Sequence, residues 1–254
     1  MMKIDLHLHS SERSNCAVAT EEEQIESAIA FGMTGVAFTD HDRLVPRGQL
    51  EYLNAKYAPF RVFTGIEVRL CDTGEDILVI GIHDESLMNR EWIYADLHAF
   101  TRKRNGFIAL AHPYRYSDAV YADVERCAPD AIEIHSMNIG ICDEPLIQRL
   151  ADSVQAKTIA CSDAHWHGHV GIYHIELPGD ARNDAELLEA LHAGRYNLAR
   201  DAGRITSHNA GVEERENIIR EYIRDGKTAK DYSRDTGNWE GQFKRVAMGK
   251  SYRI

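Results

Sequence analysis

The chain has 254 residues, of which 44% are hydrophobic and 27% are charged, a balance typical of globular proteins that argues against general disorder. The formal net charge of −11 disfavours non-specific binding to nucleic acid or to an anionic membrane, because both attract basic surfaces. Five cysteines without a C-x-x-C pair indicate free thiols, and neither a signal-like leader nor an apolar run of about 18 residues is seen, so a cytoplasmic location without a membrane span is expected.

The chain opens with a predicted strand over residues 2–9, in which apolar and polar residues alternate. Side chains two positions apart on a strand point to the same face, so His7 and His9 are expected about 6–7 Å apart. Two imidazoles at that spacing can hold one metal ion. Two ordinary histidines on a polar strand face would give the same pattern.

Six further predicted strands alternate with helical patterns along the next 150 or so residues. They are GVAFTD, FRVFTGIEV, DILVIGIH, FIALAHP, DAIEIHS and KTIACSDAH, ending near Asp40, Glu67, His83, His112, His135 and Asp163. This alternation predicts an α/β fold with a parallel sheet and crossover helices. Seven units in about 200 residues favour a closed or nearly closed barrel, in which reactive groups lie at the carboxyl ends of the strands.

Metal-ligating side chains recur at or just beyond these strand ends. The set comprises six imidazoles and two carboxylates: His7, His9, His41, Glu67, His83, His112, Asp163 and His165. Each residue alone could be a helix cap, a turn residue or a surface group. Parallel strands would bring all of them to one face, where they suit two or three first-row ions that share a bridging carboxylate.

The ordered segments DLHLHS, FTDHD, TGIEV, VIGIH, ALAHP and CSDAH resemble the PHP (polymerase and histidinol phosphatase) family of metal-dependent phosphoesterases. The resemblance covers roughly residues 2–200. It implies a distorted (β/α)7 TIM-like barrel and two or three divalent metal ions, Zn, Mn or Fe.

The resemblance also implies how the ligands divide among the ions. His7, His9, Glu67 and Asp163 would hold the first ion, and Glu67 would bridge to a second ion held by His83 and His112. His41 and His165 would hold a third. Trinuclear members carry a further His or Asp five or six residues after the HxH motif, where this chain has Ser14 and Asn15. The third ion is therefore weakly held or absent here, or Glu12 or a water replaces the missing ligand.

The expected chemistry is hydrolysis of a phosphoester by a hydroxide that bridges two metal ions, with Glu67 as the bridging carboxylate. Arg43 and Arg115 follow strand ends and are candidate phosphate clamps, because a guanidinium matches phosphate oxygens in a bidentate way. Both could equally be solvated loop arginines. His135 also lies at a strand end, as a candidate general acid or as a wall residue of the pocket.

The resemblance ends near residue 205, which predicts a barrel domain over residues 1–204 and a helical or irregular extension over residues 205–254. Residues 227–254 carry seven basic and three acidic residues, so this segment has a net charge of +4 and the preceding residues −15. A strap packed on the barrel through Trp239, Phe243 and Tyr252 is expected. A lid, a dimer contact or a substrate-binding arm is the alternative.

The favoured function is hydrolysis of a small phosphorylated metabolite, either a phosphomonoester or a cyclic or nucleotide phosphate. An oligonucleotide exonuclease or phosphodiesterase is the first alternative, which the acidic body disfavours without excluding a nucleic-acid partner. A catalytically inactive, metal-stabilised regulatory domain is the second. The sequence leaves the oligomeric state and the native metal undetermined.

Overall fold

Nine strands form one sheet in the computed structural model, which describes residues 1–254. The sheet order is β7-β6-β5-β4-β3-β2-β1-β8-β9. The strands are β1 (Met2–Leu8), β2 (Gly35–Phe38), β3 (Arg61–Arg69), β4 (Asp76–Ile80), β5 (Phe107–Leu110), β6 (Ala131–His135), β7 (Lys157–Ala160), β8 (Tyr173–Leu177) and β9 (Asn197–Arg200).

The sheet curls until the chain beyond β7 meets the end of β1. The His9 amide donates to the Ala164 carbonyl at 2.9 Å, and the Asp163 amide donates to the His7 carbonyl at 2.7 Å. Leu8 and Ala164 form a parallel bridge at the same place. These bonds nearly close the barrel, so the α/β, TIM-like barrel predicted from the sequence is confirmed.

Two strands break the parallel pattern: β8, which is antiparallel to β1 and β9, and β4, which bears on the site. β4 runs antiparallel to both β3 and β5, with Glu67 opposite Leu78 and Leu78 opposite Ala109. Only residues 70–75 separate β3 from β4, whereas a parallel connection needs a crossover of a dozen or more residues. β4 therefore begins at the barrel face where the parallel strands end.

Eight α-helices cover the outside of the barrel and form the C-terminal part of the chain. The first helix starts at a capping box, in which Thr20 and Glu23 bond each other's backbone amides. No helix is both long enough and apolar enough to cross a membrane, and the cytoplasmic location stays a prediction. The helices are α1 (Glu21–Ala30), α2 (Arg47–Lys56), α3 (Tyr94–Lys103), α4 (Glu144–Val154), α5 (Asp184–His192), α6 (Ala202–Arg224), α7 (Ala229–Thr236) and α8 (Glu240–Ala247).

Apolar side chains fill the barrel and the layer around it. One buried cluster combines residues from most strands, including Leu6, Leu78 and Phe107. A second cluster joins outward-facing strand residues such as Ile66 to α3 through Leu97. Burial of these side chains drives the fold and fixes the strand ends that carry the polar residues of the site.

The C-terminal helices have a small core of their own, built from Ile219, Tyr232 and Phe243. The end of the chain lies against the barrel, where Ile254 packs in a cluster with Tyr173. Trp239 does not take part in this core, because 51% of its surface is exposed. The boundary expected after residue 204 falls inside α6, so barrel and extension share a continuous helix.

Candidate metal centre

Four side chains from three parts of the barrel converge on the first candidate metal position. His7 Nε2 lies 3.3 Å from Glu67 Oε1 and 3.3 Å from Asp163 Oδ1. His9 Nε2 lies 3.2 Å from His7 Nε2 and 3.1 Å from Asp163 Oδ1. Ligands about 2.1 Å from one tetrahedral ion are separated by roughly 3.4 Å, so these atoms are spaced as a ligand shell requires.

Further potential ligands surround the same Glu67 carboxylate. His112 Nε2 is 3.0 Å from Glu67 Oε1 and 3.8 Å from Asp76 Oδ2. Potential ligand atoms of His41, Glu67 and Asp76 also lie within 4.8 Å of one another. Glu67 belongs to two of the overlapping groups of potential ligands, one with His7 and His9 and the other with His41 and Asp76.

The structure corrects the prediction for His83 and reveals Asp76 in its place. His83 Nε2 lies 2.9 Å from the Val45 carbonyl, away from the cluster, and the residue lines a separate cavity with Arg47 and Arg182. The reason is the direction of β4, which carries its first residue, Asp76, to the site and its C-terminal end to the opposite edge. The short, hairpin-length loop before β4 was the sequence signal for this reversal.

The remaining predicted ligands lie at the outer edge of the cluster. The His9 ring centroid is 4.4 Å from that of His41 and 4.3 Å from that of His165. His41 Nδ1 lies 2.7 Å from Glu67 Oε2. The barrel thus brings together seven of the eight predicted ligands, all except His83, and adds Asp76.

The charge state of the cluster fits the binding of cations. Burial alone would lower the pKa of His7, but Asp163, Glu133 and Glu67 outweigh it and raise that pKa well above its ordinary value. Burial likewise opposes ionisation of Glu67, but His7, His112 and other histidines hold the pKa of Glu67 well below its ordinary value. Carboxylates that stabilise the positive charge of a buried, protonated imidazole would stabilise a bound metal cation in the same way.

Two further groups have the states that metal ligation requires. Burial lowers the pKa of His9 to about 4, so its ring is neutral at pH 7 and presents a lone pair. Burial and the charge of Glu67 raise the pKa of Asp76 to about 6. Asp76 Oδ1 pairs with Arg69 Nε at 2.8 Å, but Asp76 Oδ2 is buried without a hydrogen-bond donor. An orphaned carboxylate oxygen beside Glu67 and His112 fits a metal ion.

Glu133, which the sequence analysis missed, orients two of the candidate ligands from strand β6. Its Oε1 lies 2.9 Å from His7 Nδ1, and its Oε2 accepts the His112 amide at 2.9 Å. The first contact leaves His7 Nε2 to face the cluster, as is usual for metal-ligating histidines. An acidic residue inside an otherwise apolar strand was the signal in the sequence.

A second buried network orients His9. Ser14 Oγ lies 3.3 Å from His9 Nδ1 and donates to Asp40 Oδ1 at 2.7 Å. Asp40 also accepts the Ser10 amide at 2.7 Å and pairs with Arg13 Nε at 2.8 Å. Ser14 therefore supports a ligand. Glu12 is occupied elsewhere, because its carboxylate accepts the Glu21 amide at the start of α1.

The backbone is strained at two of the candidate ligands. His112 has a φ of +23° and Asp163 a φ of +53°, in the region that residues other than glycine rarely adopt. Such conformations persist only where the surrounding structure enforces them, and they concentrate at functional sites.

The two candidate phosphate clamps occupy different environments. Arg115 Nη1 lies 3.4 Å from His112 Nε2 and 3.7 Å from Asp163 Oδ2, and its buried Nε has no hydrogen-bond acceptor. Arg43 is exposed, and its side chain makes no ion pair. The structure thus brings Arg115 but not Arg43 to the candidate metal centre.

His135, the candidate general acid, faces away from the cluster. Its ring stacks on Tyr173 with a centroid distance of 5.2 Å and an interplanar angle of 10°. Its Nδ1 lies 3.9 Å from the Glu144 carboxylate. The structure does not bring His135 to the metal ligands, and its role as a general acid stays a prediction.

Two cavities flank the loop 114–117 beside the cluster. The first, of about 310 Å³, is lined by Asp76, His112 and Arg115. The second, of about 390 Å³, lies between that loop and α8. Its cationic lining includes Arg115, Lys244, Arg245 and Lys250. Trp239 also lines it, with its ring centroid 5.9 Å from the Arg115 guanidinium carbon.

Comparison with known proteins identifies the family of the chain. The sequence model of the PHP domain matches residues 5–224. A 112-residue stretch is 31% identical to the DNA polymerase III PolC-type of Clostridium perfringens; it covers 42% of this chain but only 7% of that much longer protein.

Two solved structures share the fold. One is a two-domain protein from Bacteroides vulgatus that contains a predicted PHP-like metal-dependent phosphoesterase, with a TM-score of 0.61 and 16% identity, covering 78% of this chain and 64% of that one. The other is a lesion-specific endonuclease from Pyrococcus furiosus, with a TM-score of 0.57 and 16% identity. The match covers 78% of this chain and 57% of that one. At these identities the likeness shows the fold alone.

Proposed function

The chain belongs to the PHP domain family, and we propose that it is a metal-dependent phosphoesterase that acts on a small phosphorylated metabolite. The observation that carries the proposal is Glu67, a fully buried carboxylate shared by two groups of potential ligand atoms. His7 and His112 approach its Oε1, whereas His9 and His41 approach its Oε2. This donor set suits Zn, Mn or Fe.

Two divalent ions bound to these residues would supply water activation near neutral pH and stabilise negative charge on the phosphoryl oxygens. The residues of the chain have supporting tasks. Glu133 and Ser14 fix the rings of His7 and His9, so that each Nε2 faces the centre. Arg115 places Nη1 beside His112 and Asp163, where a guanidinium can bind phosphoryl oxygens.

The size of the surrounding space supports a small substrate. The cavity beside Asp76, His112 and Arg115 holds about 310 Å³, within the usual range for small-molecule sites. The adjoining cavity presents Trp239 and four basic side chains, which suit a substrate with a second anionic or planar group.

An oligonucleotide exonuclease or phosphodiesterase is the second candidate, supported by the positive charge of residues 227–254 and by the cationic cavity that this segment lines. One structural neighbour is an endonuclease and one relative is a DNA polymerase. The formal net charge of −11 argues against a long nucleic-acid groove. Short oligonucleotides would therefore be better substrates for this chain than duplexes.

A substrate panel tests the proposal. The metal-loaded protein is assayed with a sugar phosphate, a nucleoside monophosphate, a cyclic nucleotide and a short single-stranded oligonucleotide. A Glu67→Gln variant, purified in the same way, is the control for contaminating phosphatases. We expect phosphate release from at least one small substrate by the wild type alone.

Faster turnover of the oligonucleotide than of every small substrate would favour the nuclease. A metal-loaded wild type that is no faster than Glu67→Gln on any phosphoester would contradict the proposal.

A further inference from the structure

The C-terminal extension forms one wall of a narrow cavity beside the candidate metal centre. The cavity holds about 70 Å³; Arg115 and Asn138 line it from the barrel, and Arg245 and Tyr252 line it from the extension. Asn138 Nδ2 donates to Asp163 Oδ2 at 2.5 Å. A residue that lines this narrow cavity therefore also contacts a candidate metal ligand.

Three residues that line the narrow cavity have buried polar atoms without a hydrogen-bond partner. These atoms are Nε of Arg115, Nε of Arg245 and the hydroxyl of Tyr252. The two arginine side chains are only 18% and 11% exposed. Buried donors are normally paired, and a guanidinium can only donate. Unpaired donors on both sides of one cavity fit an anionic group.

Arg245 is held in a fixed position by the loop that follows strand β6. Its Nη2 pairs with Asp143 Oδ2 at 2.5 Å, and the Asp143 side chain is buried. The Ile141 amide donates to the Arg253 carbonyl at 2.7 Å, which ties the end of the chain to the same loop. Gly140 passes so close that a Cβ there would lie 2.6 Å from Arg245 Nη2. A cation fixed in this way loses little conformational entropy when it binds a ligand.

The basic residues of the larger, cationic cavity differ in how they are paired. Lys250 pairs with Asp118, and Lys244 Nζ lies 3.6 Å from Glu240 Oε2. Arg115 and Arg245 line both cavities. A guanidinium presents five N–H donors, so Arg245 can keep its bond to Asp143 and bind a second oxyanion, which a lysine ammonium does less well. The two arginines are therefore the best placed to bind an anion next to the metal centre.

We infer that Arg245, together with Arg115, binds an oxyanion on the part of the substrate that does not react at the metal centre. The substrate class is then a phosphoester that also carries a carboxylate or a second phosphate. Arg245 is a specificity residue in this arrangement, supplied by the C-terminal extension. The inference rests on the proposed function and deepens it, because it names the substrate class of the same site.

Calorimetric binding of phosphonates to the metal-loaded, full-length protein tests the inference without hydrolysis, because a C–P bond replaces the scissile ester. Butylphosphonate is compared with 4-phosphonobutyrate, which has a carboxylate in place of the terminal methyl group, and with the bisphosphonate that has a phosphonate there. We expect the wild type to bind at least one doubly anionic probe about 10- to 100-fold more tightly than butylphosphonate, the range for hydrogen bonds to a charged group. The tighter of the two identifies the oxyanion.

Substitution of Arg245 should remove this preference. We expect Arg245→Gln to reduce it below about twofold without changing the affinity for butylphosphonate. Arg224→Gln, at an exposed arginine that lies 3.7 Å from Glu221, is the matched control and should keep the preference. Arg245→Lys keeps a charge beside Asp143 but lacks the guanidinium fork, so it should fold and lose most of the preference. It provides the test if Arg245→Gln does not fold.

Doubly anionic probes that bind the wild type no more tightly than butylphosphonate would overturn the inference. A preference that the Arg245 variants retain would overturn it as well. Phosphate release is measured separately on the same samples. Hydrolysis without the preference would overturn the inference alone, whereas a preference that depends on Arg245, without any hydrolysis, would support the oxyanion site and count against the proposed function.

Discussion

Asp76 is the first residue of strand β4 and His83 follows the end of that strand, and only Asp76 faces the cluster of candidate metal ligands. Asp76 Oδ2 lies 3.8 Å from His112 Nε2, whereas His83 Nε2 lies 2.9 Å from the Val45 carbonyl. The antiparallel direction of β4 separates the two residues. Asp76 therefore places a second carboxylate beside Glu67, which lies on the neighbouring strand β3.

This relationship predicts opposite results for two substitutions. Asp76→Asn removes the charge of a candidate ligand, so we expect about one metal ion fewer per chain. A metal ion contributes several kcal/mol of charge stabilisation, which corresponds to a loss of at least about 100-fold in kcat. The measurements are elemental analysis and phosphate release.

His83→Ala is the matched control, because its side chain lies outside the cluster. We expect it to keep the wild-type metal content and to change kcat less than about twofold. The reverse pattern, with metal lost in His83→Ala and retained in Asp76→Asn, would restore the ligand assignment that the sequence suggested.

The raised pKa of Asp76 predicts how the stability of the metal-free protein depends on pH. Burial and Glu67 raise this pKa to about 6 from an ordinary 3.8. An acid with a raised pKa in the folded state stabilises the fold while it is protonated, and this contribution is lost as the pH rises through 6. Asp76→Asn should therefore gain about 1–3 kcal/mol relative to the wild type between about pH 4 and pH 7.5.

Urea unfolding of chelator-treated protein at these two pH values measures that difference. Comparing the variant with the wild type at each pH cancels the titration of the other groups. A stability difference that is independent of pH would show that Asp76 has an ordinary pKa in the folded protein.

Glu133 contacts two candidate metal ligands, His7 and His112, so its replacement should weaken metal binding. Glu133→Gln keeps the shape but removes the charge beside His7 Nδ1. Loss of such a partner typically costs 10- to 100-fold in metal affinity, and we expect roughly that range here. Competition with a chromophoric chelator measures it. Glu144→Gln, at an exposed carboxylate facing His135, should change affinity less than about twofold. Equal effects of the two variants would argue against this role.

The sequence makes Arg43 and Arg115 equal candidates for phosphate clamps, but their substitutions should change kcat/KM to different extents. Arg115→Ala should lower kcat/KM about 10- to 100-fold, because hydrogen bonds to a charged group contribute about 1.5–3 kcal/mol. Arg43→Ala should change kcat/KM less than about twofold, because Arg43 is exposed and unpaired. Steady-state kinetics on one small phosphoester decide the point. A larger loss in Arg43→Ala would mean that the loop after His41 closes on the substrate.

The sequence predicted the parts of this protein that depend on local pattern. The alternation of strands and helices predicted the barrel, and the histidines at the strand ends predicted most of the cluster. These predictions hold because strand ends and side-chain faces follow from residue spacing.

The sequence analysis failed where the direction of a strand or a long-range contact decides the outcome. His83 follows an apolar run like the other ligands, and only the short loop before β4 indicates that the strand is reversed. The acidic Glu133 stands out in an apolar strand, but its long-range contacts with His7 and His112 become evident only from the folded barrel. Trp239 was expected in a strap packed on the barrel; it is 51% exposed and lies beside Arg115 of the barrel, a long-range contact that the sequence does not specify.

The most direct measurement compares metal content and phosphoester hydrolysis in the wild type and in Glu67→Gln, after both are stripped by chelation and reloaded with Zn, Mn or Fe. We expect at least two tightly bound ions per chain in the wild type, with hydrolysis that disappears on stripping and returns on reloading. We expect fewer ions and no hydrolysis in Glu67→Gln. Fewer than one ion per reloaded wild-type chain, or equal hydrolysis by both proteins, would contradict the proposed metal centre.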